Sequence, residues 1–168
     1  MTYLITFACY GCHLHGDERG SVDRHHNLPG APLVQADAKR VSAERRLMDQ
    51  SPYLMDERRR QTVLTAILDR CAQQRWDLLA AHVRSNHVHL VVEGETRPER
   101  IMHELKSYAS FCLNQTEPSR KRWARHGSTR WLWKAENVTA ALQYVIDEQG
   151  EDMSVFRGVS ALSVRGSV

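Results

Sequence analysis

The chain has 168 residues, of which 42% are hydrophobic and 26% are charged. Length and composition predict one folded domain with a single core, and they exclude a disordered or low-complexity chain. The 23 Lys and Arg residues outnumber the 20 Asp and Glu residues, and the resulting net charge of +3 permits a polyanionic partner without requiring one.

The sequence gives no indication of a membrane-spanning or secreted protein. No stretch approaches the ~20 apolar residues that cross a bilayer. The apolar run at residues 3–7 has no cationic segment before it, as a signal peptide would. We therefore expect a cytoplasmic protein whose four cysteines, Cys9, Cys12, Cys71 and Cys112, are free thiols.

The first part of the chain predicts one strand followed by a long polar connection. β-Branched and aromatic residues at 3–7 indicate a strand. Residues 11–52 lose periodicity and contain glycines, prolines and many charges, so we expect a loop with a short helix at about 43–48. A loop this long is uncommon in a compact domain and is often functional.

The middle of the chain predicts a helix and then a hairpin. Asp56 can cap a helix that continues to about Gln74, with apolar residues spaced by three or four. Residues 76–83 and residues 87–92 predict two strands separated by a turn.

The last part predicts a helix, a strand and a final helix. Pro98 is a favourable first residue for a helix that continues to about Leu113. Residues 130–133 predict a fourth strand, and a helix capped by Asn137 extends through residue 149. We assign residues 1–155 to one domain and residues 156–168 to a loose tail.

The order of elements is β-α-β-β-α-β with an extra C-terminal helix. This order predicts an α+β fold with a ferredoxin-like antiparallel sheet, in which both crossover helices cover one face.

His87 and His89 are the strongest chemical signal in the sequence. Residues two apart in a strand project to the same face, so both imidazoles point one way while Val88 and Leu90 point into the core. We expect the histidines on the face away from the crossover helices. Two imidazoles at this spacing suit one cation, although the same spacing also occurs by coincidence on surface strands.

Around the two histidines the chain reads Ser85-Asn86-His87-Val88-His89-Leu90-Val91-Val92. This run resembles the HUH signature of the single-tyrosine transposases, in which two histidines flank a bulky hydrophobic residue. The resemblance extends to the first strand, to residues 76–80 and to residues 142–149 in the last helix, and it leaves residues 11–52 and the tail poorly matched. Ser85 stands where these families usually have proline.

The resemblance implies a metal-dependent enzyme that cuts single-stranded DNA beside hairpins and forms a 5′-phosphotyrosine intermediate. Insertion-sequence transposases and relatives associated with repetitive extragenic palindromes belong to this group. The divalent ion would be Mg²⁺ or Mn²⁺, while histidine ligands alone favour Mn²⁺ or Zn²⁺. The resemblance also implies a homodimer. The alternative is a domesticated protein that binds hairpin DNA on the same fold without transposition.

Tyr144 is the predicted nucleophile. Tyr108, the other candidate on a helix, lies on the apolar stripe of that helix. Tyr144 lies about 140° from the centre of the stripe that contains Leu142 and Val145, and it is on the helix that the family uses. The alternative is that Tyr144 packs against the sheet.

Glu148 is the predicted third metal ligand. The family carries a polar ligand one turn after the tyrosine, often glutamine. Counting four residues from Tyr144 gives Glu148, about 40° around the helix. Gln149 falls about 140° from Tyr144, near the apolar stripe, and Asp147, at about 60°, is the reserve candidate.

Basic and aromatic residues outside the histidine motif are candidate DNA contacts. Arginine and lysine neutralise phosphates, and tryptophan stacks on unpaired bases, although tryptophans in strands are more often part of the core. The candidates are Arg84, Lys106, Arg120, Lys121, Arg122, Arg130, Trp131 and Trp133.

A third class of function is a zinc or haem protein centred on Cys9 and Cys12. Residues 9–13 match the haem-attachment pattern C-x-x-C-H, and His15 would extend the group to a zinc cluster. Covalent haem attachment normally implies export, for which the sequence has no signal.

Overall fold

The computed structural model describes residues 1–12 and 38–159. In chain order the elements are β1 (Thr2–Cys9), α1 (Ala38–Arg46), α2 (Glu57–Gln74), β2 (Asp77–Val83), β3 (His87–Glu93), α3 (Pro98–Leu113), β4 (Trp123–Leu132), α4 (Ala135–Asp147) and β5 (Ser154–Arg157). The predicted order of elements is confirmed, with β5 as an addition.

The strands form one antiparallel sheet in the order β4-β1-β3-β2-β5. The first four strands have the ferredoxin-like arrangement expected from the order of elements. β5 pairs with β2 and crosses the boundary predicted at residue 155. Its four residues are too few for a periodic pattern to identify them. The predicted tail from residue 160 onward lies outside the described residues.

Alternation along the strands divides the core between two sheet faces. Ile5, Phe7 and Leu90 belong to the larger cluster, which packs beneath α2 and α3. Leu4 lies on the other face, in a second cluster with Val145 of α4. The extra helix therefore covers the face that the two crossover helices leave open.

The ends of the helices agree with the sequence in two cases and differ in two others. One that differs is the short helix expected at about 43–48, which is α1 and covers Ala38–Arg46. Asp56 caps α2 by accepting a hydrogen bond from the Arg59 amide (2.8 Å), and α3 begins at Pro98. α4 begins two residues before Asn137 and ends at Asp147 rather than at residue 149. Among the described residues, no helix is both long enough and apolar enough to span a membrane.

β4 is longer than predicted, and its position at the edge of the sheet explains why the sequence did not show its full length. It occupies ten residues instead of residues 130–133, and most of its side chains are exposed or half-buried. An edge strand exposed in this way does not need the apolar alternation by which strands are found in a sequence.

A charged network joins the segment before α2 to the connection between α3 and β4. The Arg122 side chain is buried and donates to Glu117 Oε1 (3.2 Å) and to Asn114 Oδ1 (2.7 Å). Glu117 also accepts from the Tyr53 hydroxyl (2.5 Å) and from Arg59 Nε (2.8 Å). Burial alone would raise the pKa of Glu117, but these hydrogen bonds outweigh it and lower the pKa.

Replacing Glu117 by glutamine should destabilise the protein by about 3 kcal/mol at neutral pH, because the Arg122 guanidinium stays buried without its counter-charge. The folded-state pKa of Glu117 is lowered, so its contribution is present above the unfolded pKa of about 4.3 and is lost as pH falls through the folded value. Chemical denaturation across this pH range measures the effect. The control Arg100→Gln removes an exposed partner of Glu104 and should cost at most about 0.5 kcal/mol. Equal losses in the two variants would contradict the assignment.

Candidate active site

A row of polar side chains crosses the sheet on the α4 face. Directly paired residues of antiparallel strands project to the same face. Thr6 of β1 pairs with Ser128 of β4 on one side and with His89 of β3 on the other. His89 pairs in turn with His82 of β2. The row Ser128, Thr6, His89 and His82 therefore spans four strands.

The structure brings the two predicted histidines and the predicted tyrosine together. The ring centroids of His87 and His89 are 4.6 Å apart, and those of His89 and Tyr144 are 5.3 Å apart. His89 is buried, whereas Tyr144 is 38% exposed. The cluster lies on the face away from α2 and α3, as strand alternation predicted, and it reaches solvent at the tyrosine.

Each histidine ring is oriented by an oxygen atom at Nδ1. His87 Nδ1 donates to Asn86 Oδ1 (2.6 Å), and an amide oxygen can only accept, so the lone pair of this ring is on Nε2. His89 Nδ1 lies 2.8 Å from Thr6 Oγ1. With its proton on Nδ1, His89 also has its lone pair on Nε2. Ring nitrogens that bind metals are commonly oriented in this way.

His89 is neutral at physiological pH. Burial, followed by the neighbouring charge of His87, lowers the pKa of His89 to about 3. The neutral imidazole is the form that binds a metal.

The structure does not bring Glu148, the predicted third ligand, to the histidines. α4 ends at Asp147 and Glu148 is the C-cap residue (φ −103°), so the count of 100° per residue does not extend to it. In the described part of the chain, no third His, Cys, Asp or Glu completes a metal-binding group with the two histidines. Asp147, the reserve candidate, is therefore not placed as a ligand either. The side chain that comes close to His89 is instead that of Gln149, which raises the pKa of the imidazole against the larger lowering by burial. The Gln149 amide nitrogen donates to the backbone oxygen of Tyr144 (3.0 Å).

The donors at this position fit a divalent metal ion. Two imidazole nitrogens and the amide oxygen of Gln149 would make three ligands, and three ligands leave coordination positions open for water or a phosphate oxygen. The mixture of nitrogen and oxygen donors suits Mn²⁺ better than it suits Mg²⁺.

Two of the predicted DNA contacts, Lys106 and Arg122, are buried, and for these the prediction is wrong. The Lys106 ammonium donates to the backbone oxygens of Ala124 (3.0 Å) and His126 (3.2 Å), and burial lowers its pKa to about 8. Arg122 is engaged by Glu117 in the network described above. Both side chains act inside the protein, where DNA does not reach them.

Three further candidates have partners within the protein and retain some exposure. Arg84 donates to the backbone oxygen of Glu151 (2.7 Å). Arg120 donates to the backbone oxygen of Ser51 (3.2 Å), and Lys121 pairs with Asp49. Their contact with DNA stays a prediction.

The remaining candidates lie at the β4 edge of the sheet. The rings of Trp131 and Trp133 are stacked, with centroids 5.1 Å apart and planes 11° from parallel. Their exposed fractions are 38% and 67%. Arg130 is exposed and pairs with Leu4, so it lies on the α4 face together with the histidines.

Cys9 and Cys12, the cysteines considered for zinc or haem, make contacts typical of free thiols in a folded protein. Cys9 is fully buried in the core, and this burial raises its pKa, which disfavours the thiolate that binds metal. Cys12 Sγ donates to the backbone oxygen of Tyr53 (3.3 Å). His13 and His15, the other members of the proposed group, lie outside the described residues.

Comparison with known proteins identifies a family. The profile of the family described as IS200-like transposases matches residues 48–142, which include both histidines and end before Tyr144. The structure of a REP-associated tyrosine transposase bound to a REP hairpin aligns with a TM-score of 0.47 and 12% identity, over 86% of this chain and 63% of that chain. The chain thus spans less than two thirds of that protein.

A second solved structure and the curated proteins complete the comparison. A protein assigned as a transposase from Deinococcus radiodurans R1 aligns with a TM-score of 0.44 and 14% identity, over 89% of this chain and 90% of that chain. No curated protein matches the chain.

Replacing Thr6 by valine should weaken Mn²⁺ binding about 10–100-fold, because the shape is kept while the hydroxyl that orients His89 is lost. A titration followed by electron paramagnetic resonance of free Mn²⁺ measures the affinity. Thr2→Val is the matched control, since Thr2 is on the same face of the same strand and contacts Glu93 instead. Unchanged affinity in Thr6→Val, or the same loss in Thr2→Val, would contradict the role of Thr6.

Proposed function

This chain belongs to the IS200-like transposase family, and we propose that it nicks and rejoins single-stranded DNA with Tyr144 as the nucleophile. The observation that supports this most directly is the contact between His89 and Tyr144. It places an exposed phenol beside two histidines whose orientation suits a metal. Such a group can attack a phosphate that the same site holds.

In the proposed reaction the Tyr144 oxygen attacks a backbone phosphorus. A tyrosine–phosphorus bond forms as the bond between phosphorus and the 3′ oxygen breaks, which leaves a 5′-phosphotyrosine and a free 3′-hydroxyl. The phenolic proton is released, and the leaving oxygen takes up a proton. Because one phosphodiester is exchanged for another, attack by a 3′-hydroxyl on the phosphotyrosine rejoins a strand by the reverse step.

His87, His89 and Gln149 would hold the divalent ion of this site. When bound, the ion neutralises negative charge on the phosphate in the transition state. Asn86 and Thr6 keep the imidazoles pointed at one position. All three donors are uncharged, so the phosphate of the substrate supplies the negative charge at the site.

We propose that the β4 edge carries the unpaired part of the DNA. Arg130 lies on the face of the cluster and would contact a phosphate. The stacked rings of Trp131 and Trp133 offer an exposed aromatic surface for an unpaired base. A preference for hairpin-flanked sites belongs to the same proposal. The expected homodimer is a separate proposal on which none of these contacts depends.

Tyr144→Phe should abolish the covalent protein–DNA adduct while leaving DNA binding within about twofold, because only the attacking hydroxyl is lost. The assay incubates the protein with labelled single-stranded hairpins and Mn²⁺ and resolves adducts on a denaturing gel. Tyr108→Phe is the matched control, since the Tyr108 hydroxyl contacts Gln73 on the other face. Adducts that persist in Tyr144→Phe and vanish in Tyr108→Phe would show that the nucleophile is Tyr108 and not Tyr144. Wild-type binding without nicking would favour the domesticated hairpin-binding protein.

Gln149→Ala should weaken both Mn²⁺ binding and nicking at least about tenfold, because it removes an oxygen ligand next to His89. Glu148→Ala should leave both within about twofold, since Glu148 is exposed at the end of α4. Gln149→Glu keeps an oxygen donor and should recover Mn²⁺ binding. The opposite ranking of the two alanine variants would restore Glu148 as the ligand.

A further inference from the structure

His82 is a buried polar side chain that has no role in the proposed reaction as described above. It lies on β2, beside His89 in the row of paired residues, and none of its surface is exposed. A polar ring buried in this way is costly unless both of its nitrogens have hydrogen-bond partners. Two of its partners come from the end of α4 and from the chain that follows it, and the third is Arg84, just after β2.

The partners of His82 fix a single state of the ring. Nδ1 donates to the backbone oxygen of Val145 (3.1 Å), and Nε2 accepts from the backbone amide of Met153 (3.2 Å). A carbonyl can only accept and an amide N–H can only donate, so the ring is neutral with its proton on Nδ1. Arg84 adds a bond to the backbone oxygen of Glu151 (2.7 Å).

These bonds bracket the segment that carries the reactive groups. Tyr144 immediately precedes Val145, and Gln149 lies between the two residues whose backbone groups bond to His82. α4 ends at Asp147, and the chain then turns through Gly150 in the left-handed region (φ +79°). Beyond the helix, contacts with the sheet therefore decide where Gln149 sits.

We propose that His82 is a positioning residue that holds Tyr144 and Gln149 in place against His89. This inference rests on the proposed nicking activity. The apolar residues Leu142 and Val145 already dock α4 on the sheet, so His82 is not needed to attach the helix. It sets where the helix end and the following segment lie, and a displacement of about 1 Å in such a group can cost about 100-fold in rate.

The test compares His82→Leu and His82→Asn with the wild type in single-turnover nicking of a labelled single-stranded hairpin at saturating DNA and Mn²⁺. His82→Leu loses all of these hydrogen bonds at similar size and should nick about 10–100-fold more slowly. DNA affinity should change less than about twofold, because a fully buried residue does not touch DNA. His82→Asn keeps a donor at the position of Nδ1 and should recover part of the rate.

Ile101→Val is the control for a general loss of stability, because Ile101 is buried in the core on the opposite face of the sheet. It should lower the melting temperature without slowing nicking at saturation. If the wild type nicks DNA and the His82→Leu and His82→Asn variants nick it equally fast, the inference about His82 is wrong while the proposed function stands. The inference is also wrong if the His82 variants lose only DNA affinity, or if Ile101→Val slows nicking as much as they do. A wild type that binds Mn²⁺ and hairpins but never nicks would overturn the proposed function and the inference with it.

Discussion

The packing of α4 onto the second face of the sheet is the contact on which the site depends. Val145 is buried against a cluster that includes Leu4 and Val91, and this leaves Tyr144 at the rim, where its ring meets His89. The alternation that sends Val88 and Leu90 under α2 and α3 sends the histidines to this face. A sheet covered on one face only would present the two histidines without a tyrosine beside them.

The electrostatics of the site follow from the same packing. Burial keeps His89 neutral, while Thr6 of β1 orients His89 and Asn86 of the β2–β3 turn orients His87. The neutral donors bring no negative charge that would repel a phosphate. Positive charge lies instead at the sheet edge, where Arg130 is exposed on the same face.

Local periodicity was enough to predict the face of the histidines and the exposed position of Tyr144, because both depend on a few residues of regular structure. It placed Glu148 beside the histidines, where the structure does not bring it, because a helical count holds only while the helix continues, and α4 stops at Asp147. Periodicity also led us to expect Lys106 at the surface. The sequence does not show that the Lys106 ammonium donates to two backbone oxygens of β4. His82 and Thr6 could be found only from the register of the strands.

In the proposed function, one centre built from His87, His89, Gln149 and Tyr144 carries out transfer between a DNA phosphate and the protein. The most direct measurement is mass spectrometry of peptides after the wild-type protein has reacted with a single-stranded hairpin and Mn²⁺. We expect a nucleotide remnant on the peptide that contains Tyr144, attached through a 5′-phosphate. Attachment to any other tyrosine, or attachment through a 3′-phosphate, would contradict the proposed function.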